Sequence, residues 1–426
     1  MSADISSVAV IGGGTMGSGI AAASAAAGRR VLVLENTVPA LDKARARVLA
    51  AAKDDAERES IAARTRFALL DDGLRDLSDY DWVCEAIIED LTAKRVLFEA
   101  IERHRRPGSV VSTNTSGIPL AAITDGAPHS LRRDIVVTHF FNPVRIMRLL
   151  ELVPGADTRP EVVDALTAFG RDALGKGVVH AKDSVNFIAN RIGCFWMLAG
   201  LHKAKGLEPE AVDAVLSAPV GLPATGLYGL IDLIGLDVMN YVGLNLAANL
   251  PQDDRGHAFV RFPAEVQRLH DRGQLGRKSG GGITRVVKTA DGGKSKEVFD
   301  IAADDWRPVR AVTVPQDDPL FDDSPIGRFA WDLTSETLAY AADLLPAIAD
   351  DIVNVDRAMR WGFAWARGPF EWLDHLGPHR VIARLRAENR PVPKLLALLE
   401  ESGAESFYRD GQYLGLDGRY HPIPAE

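Results

Sequence analysis

The sequence predicts an α/β domain built on a doubly wound, mostly parallel sheet, followed by an all-α domain made of two related helical modules. Three observations predict this. A glycine-rich turn near the start joins a strand to a helix and meets an acid about 20 residues later. Strands and helices then alternate as far as residue 182. Beyond that point the pattern becomes helix after helix, and it contains an internal repeat.

A chain of 426 residues has room for two or three domains. With 46% hydrophobic and 25% charged residues, a sizeable core is available. The net charge of −9 argues against a general nucleic-acid binder, whose affinity would rest on a basic face. A small anionic ligand remains compatible with it, held by a local cluster. Cys84 and Cys194 stand far apart with no ligand-spaced partner. They are expected to be buried thiols in a reducing compartment, not a metal site or a disulfide. The opening MSADISSVAVIGGG lacks the charged region and long apolar core of a signal peptide. No apolar run reaches the roughly 18 residues of a membrane span. The expected setting is cytoplasmic, with neither nucleic acid nor membrane as partner.

The first unit covers residues 7–35. The strand VAVI runs into Gly12, Gly13, Gly14, Thr15, Met16 and Gly17, then an alanine-rich helix that Gly28 stops. The second strand, VLVLE, ends at Glu35. A lone G-x-G-x-x-G is weak evidence, but strand, helix and following acid complete the Rossmann-like fingerprint. Gly12 would permit the tight turn, Gly14 the close approach of a pyrophosphate, and Gly17 close helix–strand packing. The helix N-terminus would face the phosphates with free N–H groups. Glu35 would accept hydrogen bonds from the adenosine ribose and repel a 2′-phosphate, which favours NAD over NADP.

Residues 38–66 read as helical and densely basic, with Lys43, Arg45, Arg47, Lys53, Arg58, Arg64 and Arg66 among interleaved acids. They form either a solvated face or a hold for an anionic ligand. Strands are expected at 81–85, 109–113 and 135–138, with a helix at 91–105. Glu89 and Lys94 then fall beyond the carboxyl end of a strand, where such folds bind ligands. The stretch VVTHFFNPVRIMRLLE delivers His139 at a strand end, turns at Asn142-Pro143, and returns Glu151 on a second apolar run. Strand, turn and returning strand would set the two side chains face to face, as a general acid/base and the carboxylate that orients it. Taken alone, such a pair is more often a structural one. A helix over 160–174 and a last strand within GKGVVHAKD follow, and the domain boundary is placed near residue 182.

The internal repeat pairs residues 211–237 with 353–377. In both, an aspartate opens a short helix and a small-residue loop leads into an apolar helix carrying another aspartate. A long amphipathic helix precedes each copy, beginning near Asn186 and Arg328. The expected organisation is a Rossmann-like domain over 1–182, a first helical module over 183–283, a linker or irregular insertion over 284–322, and a second module with a tail over 323–426.

With these residues assembled, the chain resembles the 3-hydroxyacyl-CoA dehydrogenases of fatty-acid β-oxidation along nearly its whole length. VAVIGGGTMGSGIA is similar to the family's opening, CEAIIEDLTAK to its second cofactor segment, STNTSG to its serine loop and THFFNP to its catalytic strand end. AKDSVNFIANR and GRKSGGG resemble signatures of the helical domain. The duplicated module and the NTSG variant look most like the dehydrogenase part of fused dehydrogenase/enoyl-CoA hydratase proteins. The chain is either a stand-alone enzyme of that branch or a portion of a longer protein.

The resemblance implies an acyl-CoA thioester substrate and NAD as cofactor. It implies that His139 is the catalytic base, Glu151 its orienting acid, Ser116 a contact to the substrate hydroxyl and Asn190 a contact to the carbonyl region. Cofactor contacts would fall on Gly12, Gly14, Thr15, Met16, Gly17, Glu35, Glu89, Lys94, Asn114 and Asn142, with no metal. Read alone, Ser116 could equally cap a loop and Asn190 bridge two helices. The chain departs from the family pattern at Asn186, where the family has glycine before FIANR, and at Glu35, where aspartate is common. The second module, with Gly327-Arg328 in place of Asn-Arg, reads as structural. Single-module relatives pair their helical domains between subunits, so a tandem copy could make this chain a monomer; a homodimer stays open, as does association with an enoyl-CoA hydratase or a thiolase. Two competing readings are a dehydrogenase of a small hydroxy acid or sugar acid without CoA, and a non-catalytic NAD-binding protein on the same scaffold.

Overall fold

The computed structural model describes residues 4–289, 292–301 and 303–426. The chain divides into two compact units. The first runs to Ile188 and takes in Pro346–Asp350 and Pro424–Glu426; the second comprises Ala189–Leu345 and Asp351–Ile423.

In the first unit, β1 (Ser7–Ile11) leads through the glycine turn to α1 (Thr15–Ala26) and β2 (Arg30–Glu35). Next come α2 (Val38–Ala50), α3 (Asp55–Arg64), β3 (Thr65–Leu69), β4 (Trp82–Glu85), α4 (Leu91–His104) and β5 (Val110–Thr113). β6 (Ile135–Phe140), β7 (Leu149–Pro154), α5 (Pro160–Ala168) and β8 (Gly177–His180) complete it. The eight strands lie in the order β3-β2-β1-β4-β5-β6-β7-β8. The first six are parallel, β7 runs antiparallel to β6, and β8 is parallel to β7. Strand order reverses beside β1, between β1 and β4, which is the crevice where such sheets bind ligands. β1 is buried along its whole length, as a strand covered on both faces requires, which is why VAVI is a continuous apolar run.

Residues 38–66 are not one helix. Asp54 accepts the Glu57 N–H at 2.8 Å and starts a new helix, and β3 follows as an edge strand. Every β3 residue is half-buried or exposed, so TRFAL carries no clean apolar alternation to announce it. The basic side chains from Lys43 to Arg66 named above are all exposed, and Arg47 among them donates to the Gly13 carbonyl of the glycine turn at 3.3 Å.

The second unit opens with α6 (Ala189–Lys203), α7 (Pro209–Leu216), α8 (Gly226–Ile234), α9 (Leu236–Asn249) and α10 (Ala264–Asp271). Within the span 284–322, expected as a linker or irregular insertion, the structure has a three-stranded antiparallel sheet, β9 (Thr284–Lys288), β10 (Lys294–Asp300) and β11 (Asp305–Pro308). Its Asp, Gly, Pro and Lys content is that of turns and charged outer faces, which masks short strands. The second module has α11 (Pro325–Asp343), α12 (Ile352–Gly362), α13 (Pro369–Leu376), α14 (Pro378–Ala387) and α15 (Lys394–Glu401). Its tail also forms a three-stranded sheet, β12 (Tyr408–Arg409), β13 (Gln412–Leu414) and β14 (Tyr420–Pro422). The unit is therefore helical with two small sheets, one closing each module.

The duplication reaches into side-chain chemistry. Asp232 on α8 accepts the N–H groups of Ile283 and Thr284 where β9 begins. Asp374 on α13 accepts those of Phe407 and Tyr408 where β12 begins. The long helices α6 and α11 pack together, with Phe195 stacked on Tyr340 at 3.9 Å.

Candidate active site

The glycine turn is built as its sequence requires. Gly12 has φ 98°, and a Cβ there would meet the Ala86 carbonyl oxygen at 2.5 Å. At Gly17 a Cβ would lie 1.8 Å from the Gly12 oxygen, so helix and strand can touch only through glycine. At Gly14 nothing lies within 4 Å of that position, which leaves the backbone open to a ligand. Thr15 and Met16 form the first turn of α1, whose N–H groups face outward from this turn. Glu35 ends β2 and its Oε1 accepts the Gly13 N–H at 2.6 Å. These residues fit a dinucleotide: an open cradle for phosphates, and an acid at the ribose end of the turn.

Beyond β4 and β5 a second group gathers. Lys94 is buried between Glu85, at 2.8 Å, and Glu89, at 3.4 Å. Glu89 Oε1 accepts the Thr115 hydroxyl at 2.6 Å and the N–H groups of Ser116 and Gly117 at 2.9 and 2.8 Å. Burial works to raise its pKa, but the Lys94 charge, the Thr115 hydroxyl and those N–H groups hold it below the usual range. Glu89 thus pins the backbone of the loop in which Ser116 is exposed. Asn114 turns its Oδ1 to the Phe140 N–H at 3.0 Å, tying that loop to the end of β6. Sequence reasoning missed Glu85, which is wholly buried and also accepts the Thr113 hydroxyl at 2.5 Å. Its signal was available, since an acid in the strand WVCE must find a buried partner.

His139 and Glu151 are register partners across β6 and β7. His139 Nδ1 lies 2.6 Å from Glu151 Oε2, with the two side chains 3% and 0% exposed. Glu151 Oε1 accepts the Ile188 N–H at 3.2 Å. The His139 ring contacts Phe141, at 4.5 Å, and Phe187, at 5.4 Å between centroids. Donation of the Nδ1 proton to Glu151 leaves the lone pair of the neutral ring on Nε2. Asn142 is exposed in the β6–β7 turn, with a cis bond to Pro143. Asn190 is half-exposed in the first turn of α6, in the second unit.

Cys84 and Cys194 are buried without a disulfide, and burial pushes both thiols up to about 12. Among the described residues no three His, Cys, Asp or Glu side chains are grouped to hold a metal, and no single helix is long and apolar enough to cross a membrane.

A glycine cradle at the sheet's crevice and a buried His–Glu pair across β6 and β7 make a dinucleotide-binding fold with a candidate acid/base pair. Residues 7–184 match the family described as 3-hydroxyacyl-CoA dehydrogenase, NAD binding domain, and residues 187–286 match 3-hydroxyacyl-CoA dehydrogenase, C-terminal domain. The chain belongs to the 3-hydroxyacyl-CoA dehydrogenase family. It is 32% identical to a probable 3-hydroxyacyl-CoA dehydrogenase of Bacillus subtilis over 95% of this chain and 55% of that protein. It is 37% identical to another from Deinococcus radiodurans over 67% of this chain and 84% of that one. The crystal structure of 3-hydroxybutyryl-CoA dehydrogenase from Escherichia coli K12 superposes with a TM-score of 0.69 at 25% identity, covering 94% of this chain and 99% of that chain. Several curated relatives that match nearly all of this chain are much longer, and it spans 55%, 57% and 58% of three of them.

Proposed function

We propose that this chain oxidises L-3-hydroxyacyl-CoA thioesters to 3-oxoacyl-CoA with NAD, the dehydrogenase step of fatty-acid β-oxidation. The observation that carries this reading is the buried His139–Glu151 pair, 2.6 Å apart and directly paired across β6 and β7. Family membership supports the reaction class and the cofactor.

Oxidising a secondary alcohol removes a proton from oxygen and a hydride from carbon. NAD, when bound, supplies the hydride acceptor. His139 Nε2 takes the hydroxyl proton, and Glu151 stabilises the imidazolium while fixing its tautomer. The apolar rings of Phe141 and Phe187 keep water from the pair, which strengthens the interaction. Ser116, in the loop that Glu89 pins, offers its hydroxyl to the substrate oxygen. Asn190 keeps the role implied by resemblance, a hydrogen bond to the thioester carbonyl region. The Gly12–Gly17 turn and Glu35 would hold the cofactor, and Glu89 and Lys94 would contribute to the same site. Lys94 and Asn114 act there through the carboxylates and backbone they bind.

The packing of α6 on α11 within one chain supports a monomer, since it occupies the apolar helix faces that single-module relatives share between subunits. A dimer mass in sedimentation, with the helical modules as the contact, would overturn that part. The substrate chemistry points to an enoyl-CoA hydratase as the supplier and a thiolase as the consumer.

The test is NADH formation from L-3-hydroxybutyryl-CoA and L-3-hydroxyhexadecanoyl-CoA, with wild type beside His139→Gln. Wild type is expected to turn over and the variant to lose roughly 10²-fold or more. Oxidation of neither thioester, while NAD still binds, would sink the reading.

A further inference from the structure

Asn186 and Phe187 both have left-handed backbone, at φ 61° and 52°. Asparagine tolerates this region, because its short polar side chain can bond locally. A bulky aromatic rarely does, and two such residues in a row persist only where their surroundings hold them. Both are buried, and Asp183 fastens the preceding chain by accepting the N–H groups of Leu120 and Ala121 at 2.7 and 2.8 Å. This is also the place where the sequence has asparagine instead of the family's glycine.

What the kinked backbone delivers is aimed at the proton-transfer pair. The Phe187 ring lies 5.4 Å from the His139 ring, tilted by 59°, and Phe141 makes a second, T-shaped contact with the same imidazole. The next residue, Ile188, gives its N–H to Glu151 Oε1. Glu151 therefore divides its two oxygens, Oε2 to His139 and Oε1 to the kinked segment.

We propose that Asn186-Phe187 is a strained positioning element for the His139–Glu151 pair, Phe187 confining the imidazole and the kink presenting the Ile188 N–H to Glu151. The proposal rests on the reading of His139 as the base. It places no contact between these residues and the substrate or cofactor.

The experiment compares Phe187→Leu, Asn186→Val and His139→Gln in the full chain. It measures kcat and KM for L-3-hydroxybutyryl-CoA and for NAD, with NAD affinity by fluorescence titration. Leucine stays apolar but loses the ring and some of its volume; valine is β-branched and resists positive φ. Each change is expected to lower kcat about tenfold, since small misplacements at a reacting centre are costly. KM and Kd for NAD should stay within about twofold, a split that general loss of structure would not produce. Unchanged kcat in Phe187→Leu would overturn the proposal. If that variant fails to bind NAD, Asn186→Val decides, and unchanged kcat there overturns it equally. Full activity in His139→Gln would instead remove the reading beneath it, an outcome distinct from either.

Discussion

Asp213 and Asp356 play the same part in the two helical modules. Asp213, on α7, accepts the N–H groups of Tyr228 and Gly229 at 2.7 and 3.2 Å, closing the start of α8. Asp356, on α12, accepts those of Phe370 and Glu371 at 2.8 and 3.1 Å, closing the start of α13. A glycine makes room in each copy: a Cβ at Gly226 would lie 2.5 Å from the Asp213 side chain, and one at Gly368 2.3 Å from Asp356 Cα. Burial raises both acids despite their N–H donors, Asp213 to about 7 and Asp356 well above the usual range.

The Asp213 shift has a definite sign. The folded form keeps its proton up to about pH 7, whereas the unfolded chain releases it near the ordinary carboxylate value. Its contribution to stability is therefore greatest below pH ~3.8 and is lost as pH rises towards about 7. Asp213→Asn cannot ionise, so the difference between the two proteins isolates this group. Between pH 5 and pH 8 wild type should lose about 2 kcal/mol relative to the variant in denaturant unfolding. A difference that does not move with pH would refute the assignment.

Gly14 and Gly17 separate binding from folding. A methyl at Gly14 meets no protein atom, and its φ of −64° suits alanine. Gly14→Ala should fold with stability within about 1 kcal/mol of wild type. It should bind NAD at least about tenfold more weakly, because the methyl fills space that the phosphates need. Gly17→Ala must push against the Gly12 carbonyl and should destabilise by roughly 2 kcal/mol or more. Equal NAD affinity in Gly14→Ala and wild type would contradict the cradle.

The elements that were legible in the sequence are those whose pattern is local. The glycine turn with its following acid, the buried parallel strands and the His139–Glu151 hairpin each carry their signal within a short continuous stretch, because backbone geometry and strand period are short-range. β3 was not legible, since an edge strand is half-exposed and mixes polar with apolar residues. The two small sheets were hidden because their strands are short and partly charged, and their first strands are held by Asp232 and Asp374, which are distant in sequence. The Arg145–Glu57 pair likewise depends on tertiary placement that no spacing rule encodes.

Glu151→Gln tests the orienting acid separately from the base. The amide is nearly isosteric and can keep the Ile188 N–H bond, but it cannot stabilise an imidazolium and can favour the wrong tautomer. The expected loss in kcat is roughly 10²- to 10⁴-fold, with KM for NAD changed less than about twofold. Loss of NAD binding in step with kcat would mean that Glu151 serves the fold and not the proton transfer.

Arg145 lies in the turn that joins His139 to Glu151, and it leaves that turn to reach another part of the same unit. Its guanidinium bonds both oxygens of Glu57, at 2.8 and 2.7 Å, and the carbonyl of Ala51. That grip is the largest cause holding the Glu57 pKa down at about 2. The folded value is depressed, so the pair's contribution is complete above about pH 4.5 and is lost as pH falls towards 2. Both side chains remain partly exposed, which limits the energy through solvent screening. A double-mutant cycle of Arg145→Ala and Glu57→Gln should give a coupling of about 1 kcal/mol at pH 7, at the upper end for such pairs because it is bidentate. The same cycle at pH 3 should give less than half of that. Zero coupling at pH 7 would show that the contact carries no energy, and undiminished coupling at pH 3 would show that it does not depend on the Glu57 charge.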